Sequence, residues 1–242
     1  ITSDNRGLNY LDKNRYKIKK IDVPKISKNI LDFIPFLVLF TISIIKSFFF
    51  LHKKKIKILI STGGYMSIPI CLAARMLKIK ILLIEPNLVL GRSNLFLLNY
   101  CNKILTYSKN IKNLPKKMRY KNFVIKPLIK KDIFLAKNKL KKKTTKFSVL
   151  IIGGSQGAKK FDNLFKNDLI RLSKNFRINL FHQTSNQNLS NLKNFYLKNK
   201  INSKVFSYTN HLHKIIKKCD FVITRSGAST INELVFLEKP FL

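Results

Sequence analysis

The chain has 242 residues, 45% of them hydrophobic, enough for two modest domains and ordinary for a folded protein. Against 11 acidic residues stand 48 Lys and Arg, a net charge of +37 at pH 7, which with this apolar content does not signal disorder. It admits nucleic acid, an anionic membrane surface or an anionic substrate as partner, with AT-rich coding composition as the bland source of part of the excess.

The chain begins at Ile1 with no leader-like segment, and its last residues, "LEKPFL", read as a helix exit entering a strand, so an internal fragment is expected. From Phe33 to Leu51 nineteen residues carry a single charge, Lys46. That length and apolarity admit a transmembrane span, while Pro35, Lys46 and the sheet pattern that follows equally allow a core helix or one lying in a membrane interface. Lys25, Lys28 and Lys53 to Lys55 around it would suit an anionic leaflet.

Next come Ile56 to Ile60 as a strand, the turn "STGGYMS", a helix at "IPICLAARMLK", a strand at "KILLIE", a helix at "VLGRSNLFLLNYC" and a strand at "KILTYS". Short apolar runs alternating with helical patterns predict an α/β fold with a parallel sheet. Residues 109 to 146 hold fifteen Lys or Arg and one acid, Asp132, and form the inter-domain stretch, with a boundary between residues 145 and 146. A second α/β unit follows, with strands at "FSVLII", 177–181, 204–207 and 220–224. Cys71, Cys101 and Cys219 are far apart and without metal-ligand neighbours, so they read as small buried hydrophobes in a reducing compartment.

Three turns share one design, an apolar strand, then glycine with small hydroxyl residues, then a helix: "STGGYMS", "GGSQGA" (Gly153 to Ala158) and "RSGASTINE" (Arg225 to Glu233). At the carboxyl ends of parallel strands such turns face ligands, and a following helix offers free N–H groups to a phosphate. The second turn is neither a Walker A loop nor a dinucleotide fingerprint, because Gly153 and Gly154 are adjacent and only three residues separate Gly153 from Gly157. In the third, Ser229 or Thr230 followed by Glu233 reads either as a capping arrangement in the first turn of a helix or as a carboxylate that takes a ribose diol. His182 and Gln183 stand at a strand end, as structural residues or facing a ligand. His211 and His213 have strand spacing without a third ligand, so no metal is expected.

"TGGYMSIP", "IEPNLVLGRSN", "GGSQGAKKFDN", "FHQTS" and "TRSGASTINELVFLEKP", in this order and spacing, resemble the MurG family of glycosyltransferase family 28 type, from about residue 56 to the end. These are bacterial peptidoglycan enzymes that move N-acetylglucosamine from UDP-N-acetylglucosamine to the 4-hydroxyl of undecaprenyl-diphospho-muramoylpentapeptide, inverting the anomeric centre. The resemblance implies a GT-B fold: two Rossmann-like domains facing a cleft, an acceptor and membrane side in residues 1–145 and a UDP-sugar side in 146–242, both incomplete. It places Ser155 on the donor diphosphate and the Thr209 backbone on the uracil. Ala228, Ser229, Thr230, Ile231, Asn232 and Glu233 fall on phosphates and ribose, with Glu233 on the ribose hydroxyls, and Asn87 lies near the sugar. Weaker matches are Gly63, Gly64, Tyr65 and Glu85 on the acceptor side. On the donor side they are Gly153, Gly154, Gln156, Gly157, His182, Gln183, Arg225, Ser226 and Gly227.

The sequence departs from the family at Ile84 and Pro86, where the family has His and Gln, and at Ile129, where it has Arg; Lys130 could supply that charge. The family's candidate general base would precede Ile1 and its donor-sugar loop would follow Leu242, so this stretch alone is expected to be inactive. Neither metal nor cofactor is implied. The implied location is peripheral, on the cytoplasmic face of the inner membrane, where the membrane surface is anionic. Another UDP-sugar enzyme, a 2-epimerase or glycolipid synthase, is the alternative, and so is a basic RNA- or membrane-binding protein. Nucleic acid is not expected, because basic residues are not interleaved with aromatics on one face.

Overall fold

The structure is a computed structural model, and it describes residues 2–3, 16–24, 33–136, 146–153, 159–207, 209, 211–225 and 227–242. Contacts divide the chain into two compact units, Ile1–Lys126 and Pro127–Leu242. The second sheet starts at Phe147, beside the boundary expected from sequence, but residues 127–136 pack with the second unit.

In the first unit, β1 (Thr2–Ser3) and β2 (Lys19–Lys20) form a short parallel pair. Helix α1 (Phe33–Lys53) leads to β3 (Ile58–Ser61), α2 (Ile68–Met76), β4 (Lys80–Glu85), α3 (Arg92–Leu97), β5 (Lys103–Thr106) and β6 (Asn122–Val124). The four strands β3 to β6 are parallel and ordered β3-β4-β5-β6. In β4, Ile81, Leu83 and Glu85 alternate inward, so the strand's apolar period ends on a buried carboxylate. Pro69 sits in the first turn of α2, where its missing N–H costs nothing.

Helix α1 gives only part of its apolar surface to the core, where Leu51 is buried and Ile44, Phe48 and Phe50 pack half-buried. Its buried positions are Ser43, Ser47 and Leu51, spaced i, i+4, i+8 along one face packed on α2. The serine hydroxyls are satisfied locally, Ser47 donating to the Ser43 carbonyl at 2.7 Å and Ser43 to that of Asp22 at 2.7 Å. Meanwhile Phe33, Ile34, Leu37, Val38, Leu39, Ile42, Ile45 and Phe49 are exposed.

The second unit begins with α4 (Lys131–Ala136). It continues through β7 (Phe147–Ile152), α5 (Lys159–Leu164), α6 (Lys166–Asn175), β8 (Ile178–Gln183), α7 (Leu189–Lys198), β9 (Ser203–Phe206), α8 (Leu212–Lys218), β10 (Phe221–Thr224) and α9 (Ala228–Phe236). Its strands are parallel, in order β10-β7-β8-β9. The central strand β7 is buried on both faces: Val149 and Ile151 join Leu169, Leu192 and Tyr196 on one side, Leu150 and Ile152 join Ile216 and Leu234 on the other. Helices on both faces of a parallel sheet make it doubly wound. The terminal strand expected in "LEKPFL" pairs as anticipated, Phe241 lying beside Val222 in parallel register. Cys71, Cys101 and Cys219 are free and buried, and burial pushes the Cys71 thiol up to about 11.

Four helices end on a non-glycine residue of positive φ: Lys55 (49°), Lys78 (55°), Lys200 (54°) and Glu238 (53°). At three of them the next N–H, from Ile56, Ile79 or Ile201, bonds back to Leu51, Ala74 or Tyr196 with an apolar residue following, the Schellman pattern in which glycine is usual.

Candidate donor and acceptor elements

The third glycine turn makes the most complete half-site. Strand β10 ends at Thr224, Arg225 is exposed, and the Gly227 N–H bonds the Arg225 carbonyl at 2.7 Å before α9 starts at Ala228. Gly227 is the N-cap and has no side chain to offer, so Ser229 and Thr230 fall inside the first turn rather than at the cap. Glu233 lies a turn further on, not in the first turn. The capping arrangement therefore does not form, and no side chain caps the first N–H groups of α9. Ala228, Thr230, Ile231 and Asn232 are half-buried and Ser229 exposed.

Glu233 is 5% exposed, an uncommon place for a carboxylate. Its cation is Lys130, whose Nζ lies 3.4 Å from Oε1 and whose own side chain is 76% exposed. On α8, His213 also faces this region: burial lowers its imidazole pKa and Lys214 and His211 push the same way, while Asp132 and Glu233 oppose them. His211 and His213 are thus not strand residues. Thr209 accepts the His211 N–H at 3.1 Å on its hydroxyl, and a helix begins at Leu212.

The second turn is described only at its edges. Gly153 is buried at the end of β7, while Gly154, Ser155, Gln156 and Gly157, with Ser226 of the third turn, lie outside the described residues. Asp162 of α5 belongs to a buried polar network. His182 Nδ1 is 2.7 Å from the Tyr196 hydroxyl and Nε2 is 3.3 Å from Asp162 Oδ1. Asp162 Oδ2 accepts from Asn188 Nδ2 at 2.7 Å and from Thr184 Oγ1 at 2.5 Å. Tyr196 and the His182 Nδ1 share one hydrogen bond, whereas Nε2 and Asp162 Oδ1 face each other without a hydrogen bond of good geometry. Burial alone would raise the Asp162 carboxyl, but the contacts with His182, Thr184 and Asn188 outweigh it and hold it below the usual range. His182 is fully buried and Gln183 8% exposed, so neither side chain is open to solvent.

On the first unit, Gly63 (φ 83°) and Gly64 (φ 86°) form the turn after β3, and Tyr65 opens a short 3-10 segment. Gly63 is forced twice over, since a Cβ there would lie 2.8 Å from Asn94 Oδ1. A cavity of about 310 Å³ beside the turn is lined by Ser61, Thr62, Gly63, Gly64 and Ser67 among others. Glu85, 2% exposed, organises the neighbouring loop. Its carboxylate accepts from the Asn87 N–H (3.1 Å), Asn87 Nδ2 (2.8 Å), the Gly91 N–H (2.8 Å) and Asn94 Nδ2 (3.0 Å). Asn87 itself is exposed, with its amide nitrogen tied to that carboxylate. The sequence reading gave Glu85 a minor place and missed Asn94, although an acid ending an apolar strand is a visible signal. Among the described residues no group of three His, Cys, Asp or Glu could hold a metal.

Two sequence families cover most of the chain: residues 1–106 match the glycosyltransferase family 28 N-terminal domain and 148–242 its C-terminal domain. A UDP-N-acetylglucosamine–N-acetylmuramyl-(pentapeptide) pyrophosphoryl-undecaprenol N-acetylglucosamine transferase of Pelagibacter ubique is 48% identical over the whole chain, which covers 68% of that protein. The chain belongs to glycosyltransferase family 28. A second family member of the same name, from Rickettsia bellii, is 32% identical over 88% of the chain, which here spans 61% of the relative. The crystal structure of Acinetobacter baumannii MurG superposes with a TM-score of 0.63 at 24% identity, covering 96% of this chain and 64% of that one. A UDP-GlcNAc 2-epimerase from Neisseria meningitidis bound to UDP-GlcNAc does so at 0.65 with 16% identity, over 99% and 72% of the two chains. These likenesses show the GT-B fold, which the transferase and the epimerase share. Sequence identity, not shape, separates them.

Proposed function

We propose that the chain carries donor and acceptor elements of an inverting N-acetylglucosaminyltransferase. Its donor is UDP-N-acetylglucosamine and its acceptor undecaprenyl-diphospho-muramoylpentapeptide. The muramoyl 4-hydroxyl oxygen attacks the anomeric carbon, its proton goes to a base, and the bond to the diphosphate breaks as UDP leaves. The observation that carries this reading is Glu233, a buried carboxylate beside the open N-terminus of α9 that plays no part in capping. A helix N-terminus holds phosphate through N–H groups and dipole, and a nearby carboxylate accepts vicinal hydroxyls, together the outline of a nucleoside diphosphate. Ser155, Thr209 and Ala228 to Asn232 complete the donor contacts in this reading, and Asn87, presented by Glu85, addresses the sugar. The turn Gly63–Gly64–Tyr65 and its cavity face the acceptor.

The membrane reading follows from α1. A helix that hides serines and exposes Phe33, Ile34, Leu37, Val38 and Phe49 is solvated by lipid, and exposed Lys53 to Lys55 at its end suit anionic head groups. It lies in the interface on the cytoplasmic side of the inner membrane, where a polyprenyl-linked sugar is presented. Lys25 and Lys28 lie outside the described residues.

The test is chemical. The complete reading frame, given UDP-N-acetylglucosamine and the lipid-linked acceptor in EDTA, should release UDP only with acceptor present and form a disaccharide lipid, because α9 supplies the diphosphate's counter-charge without a cation. Conversion of the donor to UDP-N-acetylmannosamine without acceptor would establish an epimerase instead.

A further inference from the structure

Lys130 precedes α4 in the stretch that leads from the first unit into the second. Its carbonyl accepts the N–H groups of Ile133 and Phe134, each at 3.0 Å, so the start of α4 fixes its backbone. Helix α4 is in turn anchored: Ile133 is 3% exposed, and the Phe134 ring stacks on that of Phe236 with centroids 5.6 Å apart. Phe236 stands three residues after Glu233, one turn along the same face of α9. The segment 130–134 therefore grips α9 at two points a turn apart, by a ring stack and by an ion pair. The pair is lopsided, with Glu233 7% and Lys130 76% exposed at the side chain. A solvated lysine contributes little to stability in such a pair. A buried carboxylate that loses its cation, however, is costly and loses the partner that fixes its rotamer.

We propose that Lys130 is a positioning residue for nucleotide recognition: it holds the Glu233 carboxylate in the orientation in which its free lone pairs accept the ribose hydroxyls. This rests on the reading of the α9 turn as the donor site. It assigns Lys130 a target on the ribose side of the nucleotide, distinct from a charge that simply attracts the diphosphate. The two roles make opposite forecasts for a nucleotide that keeps the diphosphate and lacks a ribose hydroxyl.

The experiment is titration calorimetry of the complete protein with UDP and with 2′-deoxy-UDP, for the native protein and for Lys130→Met and Lys130→Arg. The native protein should prefer UDP by roughly tenfold or more, the scale of a hydrogen bond to a charged group. Lys130→Met should weaken UDP by about three- to tenfold while 2′-deoxy-UDP changes less than about twofold, and Lys130→Arg should restore the preference. Equal losses for the two nucleotides would make Lys130 a diphosphate charge and overturn the inference, as would no loss for either. Circular dichroism checks folding of each variant, and Lys130→Gln, which retains the stem, serves if the Met variant does not fold. A native protein that binds UDP without preferring it to 2′-deoxy-UDP would remove the role of Glu233, and with it the inference. No binding of UDP at all would instead defeat the donor reading itself.

Discussion

Two buried carboxylates, Glu85 and Asp162, organise the residues around them through internal hydrogen bonds. Each gathers partners from separate elements, Glu85 from the loop after β4 and from Asn94 on α3, Asp162 from β8 and the residues just beyond it. Because folding lowers the Asp162 pKa, its contribution to stability is fully present above the ordinary aspartate value of about 3.9 and is lost as pH falls through the lower folded value. Urea unfolding as a function of pH should show an acid-side loss of stability that Asp162→Asn reduces; an unchanged acid slope in that variant would show the network contributes nothing. Neither carboxylate's role was legible in sequence, since a hydrogen-bond network joins residues that spacing does not. His182 illustrates the limit. A histidine at the end of a parallel strand is compatible with a site and with a core, and its contacts with Tyr196 and Asp162 could not be read from spacing.

At the scale of elements the chain reads well, because short β-branched runs and helical periods alternate, and seven of the eight strands of the two four-stranded sheets fall on apolar runs seen in the sequence. The short edge strand β6, Asn-Phe-Val, is missed inside the lysine-rich stretch read as inter-domain. The other misreadings sit at helix starts. Gly227 rather than a hydroxyl residue caps α9, and the Thr209 hydroxyl starts a turn that carries His211 and His213 into a helix. Helix ends show what a lysine-rich, glycine-poor chain does instead of the usual solution. Lysines adopt the left-handed position at three ends, and Lys121, 8% exposed, caps another by donating to the carbonyls of Leu98 at 2.6 Å and Cys101 at 2.8 Å. A side chain in that backbone region costs about 1–2 kcal/mol, of which glycine's extra freedom in the unfolded chain returns about 0.5–1. Lys200→Gly should therefore raise the urea midpoint by a gain of roughly 0.5–1 kcal/mol with unchanged slope. A lower midpoint would mean the lysine side chain holds the turn.

Over the whole molecule, charge and apolar surface tell one story. A net charge of +37 spread over every segment is not a site, yet beside the exposed face of α1 it gives lipid two reasons to bind. Each basic residue near an anionic surface contributes about 1 kcal/mol, screened by salt, while apolar burial is not. Flotation with anionic vesicles should retain the protein at low salt and release much of it at high salt. Retention through carbonate washing would mean a transmembrane span, and indifference to lipid charge would leave the lysines without a role there. The family resemblance was legible because the glycine turns and their flanks carry it in order. What the turns do was not, because a capping pattern and a ribose-binding carboxylate share the same letters until the cap is seen to be Gly227. The decisive measurement is accordingly on Glu233, by titration of UDP into the native protein and into Glu233→Ala, with melting curves of both. The account predicts a loss of about 1.5–3 kcal/mol in nucleotide affinity with a smaller loss of stability. Unchanged affinity beside a large fall in melting temperature would contradict it.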